Sequence, residues 1–388
     1  MGGIARRKLQ SVTYYDHEKA FNGYTFFAPF WEQTRAYLID MKGRIVNYWQ
    51  LPGRVGEITL ILPNGNILYP LRLEIEGSPI FTGFCGCKLL EVDWDGNVVW
   101  EYVDNFQHHA IQQLENGNRM LMRIVATPFE IARTVKGGQH LTEDNGNMWS
   151  CALKEVNPKG AVIWEWFAYK HLDPEVDTIC PLEYRSEWTH GNSIEELKNG
   201  DILTCFRYPS QVIIIDKITG EIKWKWGKGE VFHPHNPTML KNGNILLFDN
   251  GVHRHDSYLD YSRCIEVNPK TNKIEWEYKG TPPTEFYSSV AGSCQRLQNG
   301  NTLVCETTKG RIFEVTQEKE IVWEYIIPFY APGISGWGDF NLGHNNYAHR
   351  AYRYGPDFSG FKDKDMDPDR FKAINDIYVQ QAFKMEEK

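Results

Sequence analysis

Six segments of the chain alternate apolar and polar residues, each opening on a turn residue and closing on an aromatic: GRIVNYW (43–49), GNVVWEY (96–102), GAVIWEW (160–166), GEIKWKW (220–226), NKIEWEY (272–278) and KEIVWEY (319–325). A period of two sends successive side chains to opposite faces, so each reads as a half-buried strand. The stretches ahead of them, LLEVDWDG, LKEVNPKG, IIIDKITG, CIEVNPKT and IFEVTQEK, supply a hairpin partner.

A second pattern interleaves with the first: EITLILPNGN, HHAIQQLENGN, HGNSIEELKNGD, HPHNPTMLKNGN and GSCQRLQNGN, each an apolar strand running into an Asn-Gly turn. Four short antiparallel strands repeating at roughly 40–60 residues write a propeller blade. Six tryptophan hairpins mean six blades. The sixth Asn-Gly strand is missing, while GYTFFAPF near residue 23 and HRAYRY at 349–354 stand unpaired at the ends. The fold class expected is therefore all-β: a six-bladed β-propeller closed by the N- and C-terminal strands, spanning 1–355. Residues 356–388 form a tail in which Phe371, Ile374, Tyr378 and Phe383 recur at helical spacing, predicting a short helix that docks on the propeller or on a second copy of the chain. Segments 123–150 and 167–189 break the repeat as insertions, suited to covering one mouth and shaping a pocket.

Aligned on the Asn-Gly turn, Glu57, His109, Asn192, His235 and Gly292 share one register, and Val55, Gln107, His190, His233 and Val290 share the position two residues upstream. On a regular strand both sets face the same side. If this strand lines the central channel, Glu57, His109, His190 and His235 meet there as ligands for a divalent metal, manganese in preference to zinc or iron. Asn192 and His233 lie beside them. Arg207, in CFRYPSQV, offers a guanidinium fork to a carboxylate or oxyanion, and Tyr347 with the aromatic stretch 328–340 walls a substrate pocket. His108 is expected on the opposite face, His253 and His255 at the surface, and Arg263 paired with Asp249. His344 lies near the expected mouth of the sixth blade.

Composition narrows the partners. A net charge of −8 argues against a nucleic-acid surface. No apolar run reaches membrane-spanning length, and the N-terminus has no signal-peptide core, so the cytoplasm is expected. Cys151, Cys205, Cys264, Cys294 and Cys305 sit in strand-like runs and read as buried thiols, and Cys85 and Cys87 receive no role. No GxSxG elbow, phosphate-binding loop or dinucleotide fingerprint is present.

Together, WTHGNSI (188–194) with the arginine of CFRYPSQV, HPHNPTMLKNGNILLFDNG (233–251), HHAIQQLENGN, GSCQRLQNGNTL and HRAYRY resemble the arylsulfotransferase family of six-bladed propellers over most of the chain. The resemblance implies transient sulfurylation of His235, with His109, His190, Asn192 and Arg207 around the sulfuryl group and no cofactor needed. The chain is expected to depart from the periplasmic sulfotransferases, which carry a signal peptide, an N-terminal β domain and a lysine at the sulfuryl site, and Glu57 would repel a sulfate ester. It is also similar to the family's cytoplasmic, manganese-dependent dihydrophloroglucinol cyclohydrolase branch. That likeness implies hydrolytic opening of a cyclic 1,3-diketone to an oxo acid, with His235, His190, Arg207 and His233 catalytic and Asn192, Arg207 and Tyr347 binding substrate. A non-catalytic propeller scaffold is the third reading.

Overall fold

A computed structural model describes residues 10–29, 34–72, 87–140, 147–332 and 344–379. The chain forms six antiparallel blades of a β-propeller, three in each of two compact units. One unit comprises residues 1–73, 88–103 and 290–388, and the other 74–87 and 104–289.

In the first unit the C-terminal strand Ala348–Tyr354 pairs antiparallel with Tyr24–Pro29, which continues into Arg35–Ile39 and Ile45–Gln50. The two ends of the chain thus complete one blade, as the unpaired terminal segments predict. Ser11–Tyr15 adds a fifth strand beside Ile321–Ile326 in the last blade. The tail forms a helix over Lys372–Tyr378 whose apolar residues are turned onto this same unit. Phe371 meets Tyr48, Tyr378 meets Phe329, and the Asn375 amide bonds both backbone groups of Ile45. Phe383 lies outside the described residues.

The Asn-Gly turns do more than reverse the chain. In three of the four NGN copies, both asparagine side chains donate to one glutamate on the third strand of the blade: Asn64 and Asn66 to Glu91, Asn116 and Asn118 to Glu155, Asn242 and Asn244 to Glu266. In the last blade Asn301 reaches Glu314 in the same way. The copy reading NGD breaks the pattern for an electrostatic reason. Asp201 replaces the second asparagine, Ile214 takes the glutamate's place opposite Trp224, and Lys223 answers Asp201 instead.

The second unit holds the blades Gln107–Gln113 to Val162–Phe167, Gly191–Glu196 to Ile222–Trp226, and His235–Met239 to Lys273–Tyr278. The two insertions are joined by a parallel pairing of Gly137–Gln139 with Ile179–Tyr184. Between neighbouring blades, Glu195 accepts a hydrogen bond from the Met239 amide, and burial pushes its carboxyl up to about 7. Its folded pKa lies above the unfolded value, so ionisation costs stability as pH rises from about 4.5 toward 7. Glu195→Gln, which keeps the acceptor, should therefore raise stability at pH 8 and change it little at pH 4; urea melts at the two pH values check this.

Cys151, Cys205 and Cys305 are buried free thiols, as read from the sequence, whereas Cys264 and Cys294 are disulfide-bonded. No helix among the described residues is long and apolar enough to cross a membrane.

Candidate functional site

Three strands of the second unit lie side by side, with Gly191–Glu196 between Gln107–Gln113 and His235–Met239. Each breaks register with its hairpin partner at its histidine end: around His109, at Asn192, and just after His235. Left-handed backbone recurs at these ends, at His109 (φ 50°) and Asn236 (φ 51°) within the breaks and at His190 (φ 49°) and His233 (φ 59°) just ahead of their strands. Such φ values cost non-glycine residues on the order of 1–3 kcal/mol each and persist where surrounding structure enforces them. Bulges re-aim side chains. They also cancel the alternation on which the expected facing rests, and His108 shows the consequence. Instead of turning away from His109, it meets it edge to face, with the two Nδ1 atoms 2.8 Å apart.

The His109 and His190 rings lie 4.8 Å apart between centroids, again edge to face. His190 is fixed through Nδ1, 2.7 Å from the Glu187 carboxylate, and its ring stacks on Tyr208 at 4.9 Å. Burial pushes the Glu187 carboxyl up, but His190 outweighs it and holds the group ionised below the ordinary carboxylate range. The other Glu187 oxygen is buried and makes no hydrogen bond.

His235 has a defined tautomer. Its Nδ1 faces two acceptors, Asn250 Oδ1 at 2.7 Å and the His233 carbonyl at 3.1 Å, so Nδ1 carries the proton. The Asn250 amide is itself oriented, because Nδ2 donates to the Ser288 carbonyl at 2.8 Å. Burial, then the charge of Arg207 and the proximity of His190, push the His235 pKa well below its ordinary value. At neutral pH this leaves a neutral imidazole with its lone pair on Nε2.

Arg207 is an internal residue, not a surface one. It is buried, with Nη1 2.6 Å from Glu183 and the guanidinium over the Tyr208 ring. Burial raises the Glu183 carboxyl, yet the charge of Arg207 leads in bringing it down to about 2. His233 donates from Nδ1 to the Val252 carbonyl, and burial together with Arg207 lowers it to about 4. Two ionised carboxylates, Glu183 and Glu187, thus gather here with one guanidinium, beside His233 and His235, whose protonation burial opposes.

The remaining expected site residues have the following surroundings within their own units. Asn192 is fully buried, donating to the Pro234 carbonyl and accepting from the Cys205 thiol, so its amide is engaged within the protein at both ends. Glu57 and Tyr347 belong to the first unit, where a Glu57 carboxylate oxygen lies within 4.8 Å of a ring nitrogen of His349 and Tyr347 is buried. His255 is exposed as expected, but His253 is half-buried against Cys180 and His233. Arg263 pairs with Asp249 through Nε at 2.8 Å. Residues 333–340 of the aromatic stretch and Cys85 lie outside the described residues, as do the side chains of Cys87 and His344.

Glu183, Glu187 and Asn250 were missed from sequence. Glu183 and Glu187 arrive from the second insertion, CPLEYRSEWTH, where two acidic residues just ahead of a site histidine were the available signal. A cavity of about 620 Å³, lined by Phe129, Lys136, His140, Met148 and Arg185 among others, contains none of the histidine cluster.

A family model described as "Arylsulfotransferase (ASST)" matches residues 61–328. No curated protein matches the chain. Among solved structures, a protein of unknown function from Bacteroides caccae is similar at 16% identity and a TM-score of 0.51, over 78% of this chain and 93% of that one. A streptogramin B lyase aligns at 13% identity and a TM-score of 0.46, over 82% and 83% of the two chains. Virginiamycin B lyase from Staphylococcus aureus aligns at 14% identity and a TM-score of 0.40, over 71% and 70%.

Proposed function

The chain belongs to the arylsulfotransferase family, a family of enzymes, and from that premise we propose that it works as a metal-dependent hydrolase, opening a small cyclic 1,3-diketone such as dihydrophloroglucinol to an oxo acid. The observation that carries this reading is the charge of the site. Two buried carboxylates, Glu183 and Glu187, stand with one guanidinium, and burial opposes protonation of His233 and His235. An incoming sulfate ester would enter a region already negative, whereas a divalent cation would be attracted to it.

The donor set also fits a cation. His190 and His235 are held through Nδ1 by a carboxylate and by an amide oxygen, the outer-shell arrangement that orients metal-ligating histidines. His109, His190 and His235 are the residues that would hold the ion, manganese by the resemblance noted above. Bound there, it would supply Lewis-acid polarisation of a ring carbonyl and lower the pKa of water. Glu187 keeps the His190 proton on Nδ1. If His190 is not itself a ligand, its Nε2 is the base that takes a proton from attacking water and returns it to carbon as the C–C bond breaks. Tyr208, stacked on the His190 ring, fixes its plane.

A second reading, sulfuryl transfer through His235, draws on the family and on the fixed tautomer, which presents Nε2 as a nucleophile. Metal content and turnover separate the two in protein purified without chelator or tag-derived metal. The hydrolase reading expects bound divalent metal and ring opening that is lost on chelation and restored by Mn²⁺. Metal-free protein that moves sulfuryl from an aryl sulfate, and stops doing so in His235→Ala, would refute it. Absence of both metal and turnover would leave the scaffold reading standing.

A further inference from the structure

A different set of side chains has the composition and spacing of a transition-metal centre. Cys180 and Glu183 stand three residues apart on strand Ile179–Tyr184, His233 precedes the strand bearing His235, and His253 follows the turn after Asp249. Ligand atoms of Cys180, His233 and His253 all lie within 4.8 Å of one another. Cys180 Sγ is 3.5 Å from His253 Nδ1, and Glu183 Oε1 is 3.3 Å from His233 Nε2 and 4.0 Å from His253 Nδ1. Around a tetrahedral ion with bonds of about 2.0–2.3 Å, ligand atoms sit roughly 3.3–3.7 Å apart.

His233 supplies the second observation. Its Nδ1 is committed to the Val252 carbonyl, and its Nε2 is buried without a hydrogen bond while facing a carboxylate oxygen. In the neutral ring this sets one lone pair against another in a nearly water-free place, an arrangement that a cation between them relieves. Arg207, on the same Glu183 oxygen, would then be the partner that orients a ligating carboxylate. The half-buried His253 leaves the ion a way in from solvent.

We infer that Cys180, Glu183, His233 and His253 form a zinc-type metal site that ties the second insertion to the blade carrying His235. A thiolate with two imidazoles selects zinc or cobalt over manganese, magnesium or calcium. The site deepens the functional reading, since the strand it anchors leads directly to Glu187 and so to His190, but it does not depend on the hydrolase chemistry.

Cobalt tests it. Full-length protein stripped with chelator and titrated with Co²⁺ should develop a thiolate-to-cobalt charge-transfer band in the near ultraviolet, which added Zn²⁺ removes. Cys180→Ser should abolish that band. His253→Ala, at a partly exposed position, should weaken Co²⁺ binding by about 10- to 100-fold or more. His235→Ala should leave the band intact, because His235 is not a ligand here. No band in wild type, or a band that survives Cys180→Ser, would overturn the inference, whichever enzymatic reading proves right.

Discussion

Replacing His235 by alanine is expected to lower turnover by about three orders of magnitude or more, since either reading makes its Nε2 indispensable. The informative companion is Asn250. Its Oδ1 holds the His235 proton on Nδ1, and its own orientation is locked by the Ser288 carbonyl. Asn250→Ala removes one of two acceptors and leaves the His233 carbonyl at 3.1 Å, so the tautomer is biased rather than fixed. A loss of about 10- to 100-fold, in metal affinity under the hydrolase reading or in rate under the transferase reading, is expected. The pH profile carries a further sign. A base whose pKa is depressed by burial keeps its lone pair until pH falls through that depressed value. His235 should therefore contribute no acid limb near pH 6.5, and a limb centred there that disappears in His235→Ala would contradict the electrostatic account. Stopped assays from pH 5 to 9 on wild type and both variants decide the point.

The blades and their closure were legible because period-two alternation and Asn-Gly turns are local signals. The chain spells them six and five times over. Even the terminal blade could be read, from two orphan strands at opposite ends. The facing of the site residues was not legible, for a local reason that alternation conceals. His109 adopts left-handed backbone at a bulge, as His190 and His233 do just ahead of their strands, so His108 meets His109 rather than turning from it. Arg207 was recognised as important, but its pairing with Glu183 was not legible, because that partner lies in the insertion. Nothing in CFRYPSQV announces Glu183, 24 residues upstream. A buried charge needs a counter-charge, and sequence alone does not say which of the chain's many carboxylates supplies it.

The same rule gives the largest stability effect expected in the molecule, at the blade where the chain's ends meet. Arg353, on the C-terminal strand, and Glu314, on the last blade, are both fully buried, with Nη1 3.2 Å from the carboxylate. Arg353 also donates to Thr25 and to the Phe21 carbonyl and lies over the Trp323 ring, while Glu314 accepts from the Phe21 amide and from Asn301. One ion pair thus links the N-terminal strand, the C-terminal strand and the neighbouring blade. Burial already drags the arginine down to about 10, against the pull of Glu314. Glu314→Gln preserves shape and most hydrogen bonds but leaves the guanidinium without a counter-charge, at a cost of about 3–5 kcal/mol. The double change Glu314→Gln with Arg353→Met removes the stranded charge and should recover a large part of that loss, because the thioether chain packs where the arginine stem did. Urea unfolding of the single and double variants gives the coupling directly. A single variant within about 1 kcal/mol of wild type would mean that water reaches this pair, as at an exposed salt bridge, and that the clasp is held by strand pairing alone.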